Sequence, residues 1–249
     1  MVPVSKSHRV AILELLRPDG LQSKTRGGKY QSMNTDLQNA LYEAWPQTFR
    51  QKDLGPAETS MCWGIQCEGG WAGLVDALCE VTTTHARIGA HPVLAATTVK
   101  QKFASLRVHF DQRCEFCDGA RRLAEAFSTR VCEVTGRPGV RCTAQGRGVK
   151  TLAPDIAVQL GFEVDQPARP LLPESNTVPA GWYGIVDSLI EITTNCGSEV
   201  VLEFGSAHGS LSVATPVGSD QCILGAAATA IAASARTDAE TGQVLPFLA

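Results

Sequence analysis

Residues Gly70 to Thr83 read GWAGLVDALCEVTT and residues Gly181 to Thr194 read GWYGIVDSLIEITT, with nine of fourteen positions identical. The echo continues downstream. Ser105-Leu106-Arg107-Val108 answers to Ser210-Leu211-Ser212-Val213, and Gly119-Ala120 answers to Gly225-Ala226. Ser128, Arg130, Thr135 and Gly136 then recur as Ser234, Arg236, Thr241 and Gly242. Matches in one order, at an offset of about 105 to 111 residues, predict two diverged copies of one folding unit.

The local pattern says what that unit is. Trp71, Leu74, Val75, Leu78 and Cys79 fall at helical spacing, and Trp182, Ile185, Val186, Leu189 and Ile190 repeat the steps, so each copy opens with a helix carrying an apolar stripe. Period-two patterning follows in VKQKFASLRVHFD and in EVVLEFGSAHGSLSVAT, predicting antiparallel strands. A second helix is expected over residues 119–130 and 225–235. The fold class is therefore α+β: two diverged copies of a helix–antiparallel strands–helix unit, with sheet packed on helices. Ahead of the first copy, Asn34 is a natural cap for a helix over Thr35 to Tyr42, which Pro46 would end. The expected organisation is a basic extension over 1–32, a basic first repeat over 33–162, a proline-rich linker over 163–180 and an acidic second repeat over 181–249.

The net charge of −3 hides an asymmetry. Residues 163–249 hold ten acidic and two basic side chains, whereas 100–150 hold eleven basic and five acidic ones. Opposed charge on related modules points to different partners, or to attraction between the modules. No apolar run approaches the roughly 18 residues of a membrane span, so no membrane partner is expected. The opening residues carry no small-residue cleavage site, which argues against a signal peptide. Nine scattered cysteines fit free or metal-bound thiols in a reducing cytoplasm.

Three kinds of chemistry can be weighed. Cys114-Glu-Phe-Cys117 has the spacing that lets two thiolates reach one Zn²⁺ from a tight turn, and Cys132 and Cys142 could complete a tetrahedral set; the alternative is four core thiols and no cofactor. Catalysis finds little support, since no histidine lies in an HExxH motif or beside a GxSxG elbow. Asp76 with Glu80, and Asp187 with Glu191, sit at matching helical positions; a packing role preserved with the fold is the favoured explanation over a poised carboxylate. Lys100, Lys102, Arg107 and His109 alternate as along one strand, with Arg121 and Arg122 on the following helix, a basic face suited to nucleic acid or to an acidic protein. Glu199, Glu203 and Asp220 mark the corresponding binding candidates of the acidic module.

From Met33 to Phe162 the chain resembles a family of small proteins encoded in bacteriophage and prophage genomes. The resemblance rests on EAWPQTF (Glu43 to Phe49), MCWGIQCEGGW (Met61 to Trp71) and the Leu74-Val-Asp-x-Leu-Cys79 helix. It continues in Val99 to Val108, in TRVCEVTGRPG (Thr129 to Gly139) and in GVKTLAPDI (Gly148 to Ile156). The resemblance implies a small zinc ribbon at the end of the first repeat. Where the family has Cys-x-x-Cys-Gly this chain has Cys132-Glu-Val-Thr135-Gly136, and where it has Leu-Cys-x-x-His the chain has Leu152-Ala153-Pro-Asp-Ile156. Cys132 alone remains of that ligand set, and Asp238 stands at its place in the second copy. A site lost while the scaffold persists implies reuse for binding. The expectation is a non-enzymatic phage or mobile-element protein, acting in the bacterial cytoplasm on a host protein or ribonucleoprotein complex as an anti-CRISPR-like inhibitor. The alternative is a nucleic-acid-binding protein, stabilised by zinc.

Overall fold

Asn34 opens the first described helix as its sequence predicts. Its side-chain oxygen accepts a hydrogen bond from the Asp36 amide at 2.8 Å, starting α1 (Thr35–Ala44). The computed structural model describes residues 33–165, 178–195, 203–207 and 210–245. The basic extension, most of the proline-rich linker and Glu199 lie outside the described residues.

The first repeat continues with α2 (Ala72–Ile88), the hairpin β1 (Ala96–Lys102) and β2 (Ser105–Phe110), and α3 (Glu115–Ser128). The second repeat follows the same order with α5 (Tyr183–Asn195), β6 (Glu203–Ala207), β7 (Ser210–Ala214) and α6 (Gln221–Ser234). Between them stands a small three-stranded sheet of order β4-β3-β5, from β3 (Val140–Ala144), β4 (Gly148–Leu152) and β5 (Glu163–Val164), with α4 (Pro154–Leu160) beside it. Among the described residues all strand pairs are antiparallel, and the class is α+β.

The repeats match down to single hydrogen bonds. Trp71 Nε1 donates to the Val131 carbonyl at 2.8 Å, and Trp182 Nε1 to the Thr237 carbonyl at 3.1 Å. The Leu106 amide donates to Ser128 Oγ and the Leu211 amide to Ser234 Oγ, both at 2.8 Å, so in each copy the helix hydroxyl caps the outer edge of the hairpin. After each second helix the chain makes the same turn. Gly136 and Gly242, at φ 73° and 70°, return their amides to Cys132 and Asp238 carbonyls at 2.9 Å.

The expected single apolar stripe on α2 is instead burial on every side. All residues from Ala72 to Cys79 are buried, because the second repeat covers the face that the stripe alone would leave in water. Gly73 there meets the Leu245 backbone so closely that an added Cβ would lie 2.5 Å from its carbonyl oxygen. One hydrophobic core holds Trp71, Leu74, Leu78, Leu106 and Leu123 together with Trp182, Ile185, Leu189 and Leu211. The described residues of the two repeats thus share one core, with a separate smaller core of Cys132, Cys142, Leu152, Ile156 and Phe162 under the three-stranded sheet.

Candidate functional site

The basic row lies on a hairpin, not along one strand. Phe103 and Ala104 take positive φ, 55° and 63°, and close a two-residue turn, so Lys100 faces Arg107 and Lys102 faces Ser105 across the ladder. Val99, Val108 and Leu106 go to the core, which leaves Lys100, Lys102, Arg107 and His109 together on the opposite face. Thr151 Oγ1 donates to the Ala104 carbonyl at 2.7 Å and Gln101 Nε2 to the Val149 carbonyl at 2.8 Å, tying the hairpin to β4. Phe103 stands 67% exposed at the tip, with Lys102 Nζ 5.2 Å from its ring centroid.

Part of this positive charge is already answered. Glu125, buried on α3, accepts from Arg107 at 3.0 Å and pairs with Arg121 at 3.0 Å, while Asp118 takes a second contact from Arg121 at 3.4 Å. Arg122 is exposed one position further along α3.

The twin carboxylates have a use that the sequence had shown only in halves. Arg130, at the end of the first repeat, reaches Asp187 at 2.5 Å and Glu191 at 2.8 Å in the second. Arg236, its counterpart, pairs with Asp76 and reaches Glu80 at 2.7 Å in the first. The two clamps are reciprocal, as in a two-fold interface, where residue i meets j and j meets i. Between them α3 crosses α6 backbone to backbone. A Cβ on Gly119 would fall 1.7 Å from the Cys222 carbonyl oxygen, and one on the matching Gly225 1.8 Å from that of Phe116. The clamps differ in burial. Asp76 also accepts from Trp45 Nε1 at 2.7 Å, and burial raises its carboxyl despite Arg236, whereas Asp187 and Glu191 are partly open to solvent.

The four cysteines do not form one site. Cys114 and Cys117 lie at the start of α3 and Cys132 beyond its end, and a 14-residue helix spans about 20 Å. Cys132 and Cys142 are fully buried in the smaller core, where burial pushes the Cys142 thiol up and its sulfur donates to the Val140 carbonyl at 3.3 Å. Instead, Cys114 and Cys117 stand with His85 from the last turn of α2, their three ligand atoms within 4.8 Å of one another. Histidine was absent from the sequence-based set because nothing in its spacing ties residue 85 to residue 114.

In the acidic module, Asp220 is the N-cap of α6, accepting from the Ile223 amide at 2.8 Å, and Glu203 begins β6 opposite Ala214. A further charged group went unforeseen. Glu133 is fully buried and paired with Lys150, and burial beside this pair raises Glu68 to about 7, Lys150 lowering it and Glu133 raising it. Compared with known proteins, the chain matches no family model, no curated protein and no solved structure. Among the described residues no helix is long and apolar enough to cross a membrane.

Proposed function

We propose that the chain is a non-catalytic binding protein of phage or mobile-element type whose partner is a host protein assembly, a CRISPR-type defence complex first among those to test. The observation that carries this reading is the role of the twin carboxylates. Asp76 and Asp187, the positions best suited to acid–base chemistry, are bound by Arg236 and Arg130 and hold the repeats together. The β1–β2 tip supports it further. An aromatic held out in solvent beside a lysine is the residue type that anchors protein interfaces.

A tagged full chain, used as bait in lysate of a bacterium carrying several defence systems, tests this. A stoichiometric protein partner should survive nuclease treatment and be lost with Phe103→Ala. Recovery of nucleic acid alone, or of proteins that disappear with nuclease, overturns it. Such a result would favour the second reading, in which Phe103 stacks on a base and Lys100 and Lys102 meet phosphates. Binding would then fall steeply with salt, and Lys100→Glu with Lys102→Glu would remove it.

A further inference from the structure

We propose that His85, Cys114 and Cys117 form a binding site for a thiophilic divalent cation, Zn²⁺ in particular, with the fourth position open to water. Cys114 is the N-cap of α3, and its sulfur accepts the Cys117 amide at 3.4 Å, which holds it over the first turn of the helix. Cys117 lies one turn on, so both sulfurs share one side of the helix start. His85 completes the group from a different element. Its ring is stacked on Phe116, centroids 4.0 Å apart and planes 8° from parallel, which fixes its plane beside the two sulfurs.

Tetrahedral zinc at its usual bond lengths holds S and N ligands about 3.5 to 3.8 Å apart. The three atoms, all within 4.8 Å, need to close by about an ångström to reach that spacing. Two sulfurs and an imidazole suit Zn²⁺ over the oxygen-seeking Mg²⁺ or Ca²⁺. Burial raises the Cys117 thiol, and a coordinated cation would displace that proton. His91 packs edge-on against His85, ring centroids 5.0 Å apart, with its Nδ1 3.2 Å from the Pro92 carbonyl.

The second repeat supplies an internal control. At the same helix start it has Asp220 in place of Cys114 and Ile223 in place of Cys117. Aspartate is the better N-cap, so the scaffold itself does not call for a thiol at position 114, while Cys117 and Ile223 fill the same buried position in the two copies. Among the described residues only the first copy brings two thiols and a histidine together at this helix start.

The test uses the full chain, reduced, stripped with chelator and titrated with Co²⁺ as a coloured stand-in. One Co²⁺ per chain should bind with sulfur-to-cobalt charge-transfer absorption and tetrahedral visible bands, and one equivalent of Zn²⁺ should bleach them. Cys114→Ser keeps a capping oxygen and Cys117→Ile restores the residue of the second copy, so both should fold, as circular dichroism would check. Each should weaken Co²⁺ binding by more than about 100-fold, beyond what loss of an outer partner does. His85→Ala should weaken it as well, while Cys132→Ser and Cys142→Ser should leave it unchanged. The absence of a charge-transfer band in the reduced wild-type chain overturns the assignment. So does a band that survives Cys114→Ser with Cys117→Ile, or one that depends on Cys132 or Cys142.

Discussion

Arg130 and Arg236 occupy one position of a repeated unit, yet their removal should cost different amounts. Arg236 pairs with Asp76, whose side chain is only 5% exposed. Arg236→Ala would leave a buried carboxylate unpaired, at about 3 kcal/mol or more. Arg130 meets Asp187 and Glu191, 24% and 43% exposed, and Arg130→Ala should cost about 1 kcal/mol after solvent screening. Denaturant unfolding of the two variants checks the order, and equal losses would contradict the assigned burial. Glu68 provides a pH signature. Its folded-state value of about 7 lies above the ordinary 4.5, so the folded chain holds this proton more tightly than the unfolded one. Its contribution to stability is fully present below about 4.5 and declines as pH rises towards about 7. In Glu68→Gln that decline should vanish, so the difference in stability between variant and wild type should shift in the variant's favour from pH 4.5 to 7. A pH-independent difference would show that Glu68 does not titrate there.

At the scale of elements, the α3–α6 crossing depends on two glycines. Gly119→Ala puts a methyl group into the Cys222 carbonyl and Gly225→Ala into that of Phe116, so each should destabilise by about 2 to 3 kcal/mol despite the better helix propensity of alanine. Thermal denaturation that rose on either substitution would contradict the close approach. Much of this element structure was legible. The matched stretch Gly70 to Thr83 fixed the helices, Asn34 its cap, and the recurrence of Arg130 and of Asp76 with Glu80 displayed both halves of the clamps. The pairing between halves was not legible, because Arg236 meets a residue 160 positions away and only the packing of one copy on the other brings them together. The hairpin tip was hidden for another reason. Positive φ at Phe103 and Ala104 falls on residue types that give no turn signal, and it is contacts from β4 that hold the turn. The smaller sheet over Val140 to Val164 was read only as a ribbon segment and the start of a linker, since its strands are short and its core is partly cysteine.

The two repeats should unfold as one. Trp71 and Trp182 are both fully buried and lie in a single core shared by the repeats. Trp71→Ala and Trp182→Ala should each cost about 3 to 5 kcal/mol and shift one cooperative transition, coincident by fluorescence and circular dichroism. Two resolved transitions, with Trp182→Ala moving only one, would mean that the repeats fold independently. The reciprocal clamps also bear on how such a chain can diversify. In a pair of identical subunits every surface change is made twice, once on each side of the axis. Joining the two halves covalently lifts that constraint while the shared seam stays fixed. One half is then free to collect lysines and arginines, a protruding aromatic and a cysteine pair while the other turns acidic, giving one chain with two unlike halves on a two-fold frame.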